Sequence, residues 1–175
     1  MEKLKLQELG RASVAQHKAA QKAPIVIVMD NVRSALNVGS AFRTADSFAL
    51  ERIVLCGICA TPPHRDILKS ALGSTESVDW IHVENNVEAI QQLKSDGYIC
   101  VAIEQAKGSV SLSDFEIKTT HKYALIFGNE VDGVADEVMA LVDYCIEIPQ
   151  FGTKHSLNVS VCVGILSWEF GRVFH

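Results

Sequence analysis

The sequence has no long hydrophobic run. Of its 175 residues, 48% are apolar and 21% are charged, and the longest apolar stretches fall far short of the roughly 20 residues that a membrane-spanning helix needs. Residues 1–10 (MEKLKLQELG) have no continuous apolar core of the kind found in secretory signals. The composition is that of an ordinary globular protein, and the length favours one domain. We therefore expect a cytoplasmic protein that has no membrane partner.

Several common motifs are also missing. No G-x-G-x-x-G follows the first apolar run, and no G-x-x-x-x-G-K-[ST] occurs anywhere. No serine lies in a G-x-S-x-G elbow. These absences argue against an ordinary dinucleotide-binding fold, a P-loop enzyme and an α/β-hydrolase.

The cysteines do not form a disulfide framework. There are five of them, an odd number, and three lie in apolar runs where we expect small buried side chains: Cys100, Cys145 and Cys162. Cys56 and Cys59 make a C-x-x-C with His64 nearby, but residues 60–63 (ATPP) prevent the helix that a thioredoxin-like motif needs. The second cysteine pair of a zinc site is absent too, so no metal site is predicted. A redox or metal protein remains the most distant alternative.

Positive charge is concentrated at the start of the chain. Residues 1–22 carry five Lys or Arg against two Glu, a net charge of +3, so the rest carries −8 of the total of −5. We treat residues 1–22 as a basic arm and residues 23–175 as the main domain. A basic arm on an acidic body suits a polyanionic partner such as nucleic acid. Charge alone favours the other interpretation, a solvated amphipathic helix with Leu4, Leu6, Leu9 and Val14 partly buried.

Apolar runs alternate with helical patterns along the main domain. Strands are predicted at residues 25–29, 52–56, 78–83, 98–103, 123–127 and 144–148. Helices are predicted at residues 41–48, 66–72, 87–95, 135–141 and about 157–172, with an irregular connection at 104–122. This alternation predicts an α/β fold with a mostly parallel sheet and helices on both faces.

Polar residues and glycines follow three of these strands, after Met29, Phe127 and Ile148. Ligands of parallel sheets bind outside the carboxyl ends of the strands, so the three segments point to one site. In the first, Asn37 is a candidate helix cap, and Arg43 lies in a small, apolar run where its guanidinium should be held against something specific. In the second, Gly128 stands directly at a strand end, and an ordinary turn has no use for Glu130.

The three segments resemble, in order and spacing, the motifs of the SpoU or TrmH family of the SPOUT class. These are S-adenosylmethionine-dependent RNA ribose 2'-O-methyltransferases. The matching stretches are N-V-G-S-A-F-R-T-A (37–45), L-I-F-G-N-E-V-D-G-V (125–134) and I-P-Q-F-G-T-K-H-S-L-N-V-S (148–160). The resemblance covers about residues 25–170, and one departure is Gln150-Phe151, where a methionine commonly follows the proline.

The resemblance implies a C-terminal deep trefoil knot, S-adenosyl-L-methionine as cofactor, and a homodimer with site residues from both subunits. It implies cofactor contacts from three loops: Ala102, Ile103 and Glu104; Gly128; and Ile148, Ser156 and Leu157. Arg43 corresponds to the arginine thought to activate the ribose hydroxyl, and the polar residues supporting it are Asn37, Glu130, Ser156 and Asn158. The final apolar helix would then serve as interface as well as core.

Arg43 is a poor candidate for a base that removes a proton by itself. Arginine has a reference pKa above about 12, so a literal arginine base requires strong help. We favour a role in which Arg43 stabilises the developing alkoxide and holds the adjacent phosphate, with the proton leaving to a neighbour or water. The main alternative is a catalytically silent RNA-binding relative. By analogy with minimal family members, tRNA is favoured as substrate and rRNA is possible.

Overall fold

Seven parallel strands form one sheet at the centre of the computed structural model, which describes residues 1 and 3–175 except the side chains of Leu6 and Gln7. In chain order the strands are β1 (Ala23–Asp30), β2 (Leu50–Cys56), β3 (Asp79–Val83), β4 (Tyr98–Ile103), β5 (Val110–Ser111), β6 (Lys122–Phe127) and β7 (Tyr144–Glu147). Across the sheet their order is β3-β2-β1-β6-β4-β7-β5, and every neighbouring pair is parallel. The predicted α/β class with its parallel sheet is confirmed.

Six α-helices accompany the strands within the described residues. They are α1 (Val14–Ala19), α2 (Ala35–Ser47), α3 (Arg65–Ala71), α4 (Asn86–Ser95), α5 (Asp136–Met139) and α6 (Val159–Gly171). None of them is both long enough and apolar enough to cross a membrane.

Helices cover both faces of the sheet, as predicted. Ile25, Ile27 and Met29 of β1 belong to a buried cluster that includes residues of α2, α3 and α6. Val26 and Val28, which alternate with them, belong to a second cluster with residues of α4 and α5. A strand covered on both faces has no polar alternation, which explains the continuous apolar run.

The carboxyl ends of four neighbouring strands lie in register. Met29 of β1 pairs with Phe127 of β6, Phe127 pairs with Ile103 of β4, and Ile103 pairs with Ile146 of β7. The loops that follow these strands therefore leave the sheet side by side along one edge.

Several predicted boundaries were wrong. α2 begins at Ala35 and not at residue 41, because Ser34 is its N-cap and accepts a hydrogen bond from the amide of Asn37. Asn37 is thus inside the helix and is not its cap. The predicted connection at 104–122 contains the two-residue strand β5, α5 has only four residues, and Ile148 lies just beyond β7.

The basic arm forms a short 3-10 helix (Leu6–Leu9) and α1 ahead of β1. No residue of α1 is buried, and Leu4, Leu9 and Val14 are exposed. The amphipathic interpretation therefore fails for these three side chains, and the side chain of Leu6 lies outside the described part. The division into arm and main domain stays a prediction, as does the trefoil knot.

Candidate functional site

A cavity of about 720 Å³ opens at the carboxyl edge of the sheet, among the loops after β4, β6 and β7 and the first turn of α6. Its volume lies in the range of about 300–1,000 Å³ that is typical of small-molecule sites. Eight of the predicted site residues line it: Ile103, Glu104, Gly128, Glu130, Ile148, Ser156, Leu157 and Asn158. Of the three segments predicted to converge here, those after β6 and β7 line the cavity, whereas no residue of the segment after β1 (31–45) does. The loop after β4, predicted as a cofactor loop, lines it as well.

Three predicted residues do not line the cavity. Ala102 is fully buried within β4, in the core between the sheet and α4. Asn37 lies on α2, where it donates a hydrogen bond to Glu130, which does line the cavity. Arg43 is exposed on α2, and within the described chain its side chain has no ion pair and no hydrogen bond, so the expectation that its guanidinium is held by something specific stays a prediction.

The loop after β6 is closed on itself and has no space for side chains at two positions. Asn129 and Gly133 exchange backbone hydrogen bonds of 3.0 and 3.2 Å. A Cβ atom on Gly128 would overlap the backbone of Gly133 and Val134, and one on Gly133, where φ is +71°, would overlap the Glu104 carboxylate. The glycines therefore let this loop fold tightly against the end of the sheet.

Glu130 joins the first and second motifs. Its carboxylate accepts hydrogen bonds from the amides of Arg33 and Ser34 at 3.1 and 3.2 Å, and from Nδ2 of Asn37 at 2.9 Å. Burial by itself would raise the pKa of Glu130, but these bonds and its own backbone amide stabilise the anion and hold the pKa below its ordinary value. A carboxylate at the start of α2 also interacts favourably with the helix dipole.

The loops after β4 and β7 are linked as well. Gln105 Nε2 donates a hydrogen bond of 2.7 Å to the carbonyl of His155, just ahead of Ser156. Asn158 is the N-cap of α6, because its Oδ1 accepts from the amide of Ser160 at 2.9 Å. Gln150 lines the cavity, whereas Phe151 beside it is 98% exposed.

The cavity is acidic. Among the residues that the structure describes, its lining includes no Lys, Arg or His, but five carboxylates: Glu104, Glu130, Asp132, Asp136 and Glu147. Such a wall favours a ligand with positive charge and repels a polyanion.

Asp30 was missed by sequence reasoning, which ended the first strand at Met29. It is only 1% exposed, and it accepts hydrogen bonds from Asn31 Nδ2, Asn86 Nδ2 and the amide of Ala135 at 2.9, 3.0 and 2.9 Å. It thereby ties the end of β1 to α4 and to the segment before α5. A carboxylate directly after a fully apolar run was the signal that could have identified it.

The cysteine pair is part of the core. Cys59 Sγ lies 3.2 Å from the carbonyl of Met29, to which it donates, and 3.1 Å from the amide of Val32, from which it accepts. Burial raises the pKa of Cys56 to about 12 and that of Cys59 to about 11. Cys100 is also buried, while Cys145 and Cys162 are half-buried. No group of three or more His, Cys, Asp or Glu in the described part is arranged to hold a metal ion.

Comparison with known proteins identifies the family. Residues 24–168 match the model of the SpoU rRNA Methylase family. The chain therefore belongs to this family of parallel-sheet α/β proteins, as its three motifs predicted.

Individual relatives agree with this assignment. The chain is 28% identical over 165 residues to the 23S rRNA (guanosine-2'-O-)-methyltransferase RlmB of Vibrio parahaemolyticus, covering 94% of this chain and 66% of that protein. The crystal structure of an AdoMet-bound rRNA methyltransferase from Sinorhizobium meliloti superposes with a TM-score of 0.82 and 28% identity, over 89% of this chain and 58% of that one. The crystal structure of the A. aeolicus TrmH/SpoU tRNA modifying enzyme superposes with a TM-score of 0.79 and 27% sequence identity, over 91% of this chain and 81% of that one. The chain thus spans less than two thirds of the first two relatives.

Proposed function

We propose that this protein transfers a methyl group from S-adenosyl-L-methionine to a ribose 2'-hydroxyl of RNA. The observation that carries the proposal is the acidic cavity at the edge of the sheet, enclosed by the loops that match the family motifs. Three relatives support it. One is named as a 23S rRNA (guanosine-2'-O-)-methyltransferase, one as an AdoMet-bound rRNA methyltransferase and one as a tRNA modifying enzyme.

The residues present fit the cofactor. S-adenosyl-L-methionine carries a positive sulfonium, and the cavity wall carries carboxylates and no basic side chain. Gly128 lets the loop that lines the cavity close tightly at the strand end, and Ile103, Ile148 and Leu157 provide apolar surface for an adenine ring. When bound, the cofactor supplies an electrophilic methyl group, so the protein's own task is alignment and removal of a hydroxyl proton.

Arg43 is the candidate for that task. Its guanidinium would hold the phosphate beside the target ribose and stabilise the oxygen as its proton leaves to a neighbour or to water. Asn37 and Glu130 would contribute by fixing the start of the helix that carries Arg43, and Ser156 and Asn158 by lining the cavity on the opposite side.

The position of Arg43 supports a site completed by a second copy of the chain. Arg43 follows Asn37 by six residues, which turns it about 120° away from the face that meets Glu130. In addition, α6 is apolar except at Ser160, Ser167 and Glu169, yet Val161 and Trp168 are 47% and 57% exposed. A helix of this kind is normally covered. We propose a homodimer that covers α6 and brings the partner's Arg43 to the cavity.

Mixing two inactive variants tests this arrangement. Arg43→Ala should lack the catalytic group, and Gly128→Ala, assayed at a cofactor concentration far below its raised Kd, should leave its cofactor site nearly empty. If Arg43 acts across the dimer, refolding the two variants together creates one complete site per heterodimer, and methyl transfer from labelled cofactor reappears. If Arg43 acts within its own chain, both sites of the heterodimer are defective and activity stays absent. Each variant refolded alone serves as the control.

The substrate remains a matter of proposal, because the relatives are named for both classes of RNA. We propose tRNA, with rRNA as the alternative. Incubating bulk tRNA and rRNA separately with labelled cofactor, followed by mapping of the modified nucleotide, decides between them. Cofactor binding without transfer to either RNA would favour the catalytically silent relative. The cytoplasmic location and the absence of a metal requirement stay predictions.

A further inference from the structure

A second groove lies on the side of α2 that carries Arg43. It has a volume of about 430 Å³ and lies between α2 and α3. Arg43 and Lys69 are its two charged lining residues, and the others are Ser40, Thr44, Ser47, Phe48, Ser70 and Leu72.

The two walls of the groove are held close together. Gly39 of α2 faces α3, and a Cβ there would overlap Ser70 and the backbone of Ile67. Ser70 Oγ also donates a hydrogen bond of 2.9 Å to the carbonyl of Leu36, across the two helices. Arg43 and Lys69 are therefore carried by helices that cannot easily slide past each other.

The cations of the groove have no protein partner within the described residues. Arg43 and Lys69 are two of the six Lys and Arg of residues 23–175 that form no ion pair in the described chain, and they share one groove. The other five of this range pair with carboxylates: Arg33, Arg52, Lys94, Lys118 and Arg172. No carboxylate of the described part lines the groove, and Ser40, Ser47 and Ser70 donate their hydroxyl protons to helix carbonyls. In an acidic protein, two neighbouring cations without a counter-charge point to an external anion.

The basic arm docks beside the same helix. His17 of α1 lies 3.6 Å from Asp46 of α2, one turn beyond Arg43. Asp46 is held in turn by Ser77, whose hydroxyl donates to it at 2.5 Å. This contact places α1 beside the helix that forms one wall of the groove.

We propose that the groove between α2 and α3 binds the phosphodiester backbone of the RNA substrate, with Lys69 as the phosphate-binding residue that positions the strand beside Arg43. This rests on the proposed function only in taking RNA as the substrate. The groove carries positive charge and the cavity is acidic, so the strand and the cationic cofactor would bind on separate surfaces.

Charge-neutral substitution of Lys69 tests the proposal, with Lys118 as matched control. Lys118 is an exposed lysine that pairs with Glu116 in the segment leading to the amino end of β6. Binding of bulk tRNA, and separately of rRNA, is measured at several salt concentrations for the full chain. Lys69→Gln should weaken binding roughly three- to tenfold and reduce the slope of log K against log salt by about 1, as expected for one lost phosphate contact. Lys118→Gln should match wild type.

Further readouts separate positioning from folding. Lys69→Gln should raise the KM for RNA with little change in single-turnover rate at saturating RNA, and cofactor affinity and Tm should stay unchanged. Lys69→Arg should restore binding. Equal RNA affinity and salt slope for the Gln variants of Lys69 and Lys118 would overturn the proposal. If no RNA is methylated but Lys69→Gln still weakens RNA binding, the groove stands and the proposed function fails.

Discussion

Asn37 Nδ2 on α2 donates a hydrogen bond of 2.9 Å to Oε1 of Glu130 in the loop after β6. These residues are 93 positions apart and belong to different motifs. The bond connects the cavity, which Glu130 lines, with the helix that carries Arg43 on another face.

Replacing Glu130 by Gln should lower stability in a pH-dependent way. The pKa of Glu130 is held below its ordinary value in the folded protein, so its carboxylate stabilises the fold above the unfolded pKa of about 4.3. That contribution is lost as pH falls through the folded pKa. In urea unfolding at pH 7 the variant should be less stable than wild type, and the difference should shrink below pH 4. Glu116 forms an exposed ion pair with Lys118, so the Glu116→Gln variant should be as stable as wild type at both pH values. A pH-independent difference for Glu130→Gln would contradict this account.

A single methyl group at Gly128 should damage the cofactor site. Gly128→Ala forces the loop away from Gly133, so affinity for S-adenosyl-L-methionine should fall roughly tenfold or more, which corresponds to at least about 1.4 kcal/mol. Gly152→Ala is the matched control, because a Cβ at Gly152 meets no atom within 4 Å and the residue lies in the neighbouring loop. Calorimetric titration of both variants checks this, and equal affinities would show that the tight loop does not shape the site.

Arg43 should be required for turnover but not for cofactor binding. Arg43→Ala, and nearly as severely Arg43→Lys, should lower single-turnover methyl transfer by roughly a hundredfold or more, the scale for loss of a positioned charge. Because the side chain is exposed and unpaired in the described chain, cofactor affinity, dimerisation and Tm should be retained. Near-normal transfer by the Lys variant would rule out the role that we propose.

Cys56 and Cys59 should be unreactive in the folded protein. Their pKa values of about 12 and 11 mean that thiolate forms only as the pH rises well beyond 8, and both side chains are buried. A thiol reagent at pH 8 should therefore modify them slowly in the native state, while unfolding in urea should expose all five cysteines at once. Rapid native modification of two thiols at positions 56 and 59 would revive the redox alternative.

The sequence by itself determined the fold class and the edge of the sheet at which the cavity opens. Apolar runs without alternation, such as residues 25–29, require cover on both faces and so indicate a parallel sheet. In such a sheet the carboxyl ends share one edge, and therefore Gly128, Ile148 and Ser156 could be assigned to the same site without coordinates.

Local patterns failed where two signals competed. Asn37 and Ser34 are both good helix caps, and only the hydrogen bond from the Asn37 amide to Ser34 shows which of them is the cap. Strand β5 has two residues, too few for any period to be visible, and is held by pairing with β7.

Only the tertiary structure decided which residues meet across long separations and which way they face. The contact of Asn37 with Glu130, the bonds of Asp30 to Asn86 and Ala135, and the groove shared by Arg43 and Lys69 all depend on how helices pack on the sheet. Motif spacing predicted Arg43 at the same site as the loops that line the cavity. The rotation of α2 turns it toward α3, because helix periodicity sets the face of a side chain, while packing sets what that face meets.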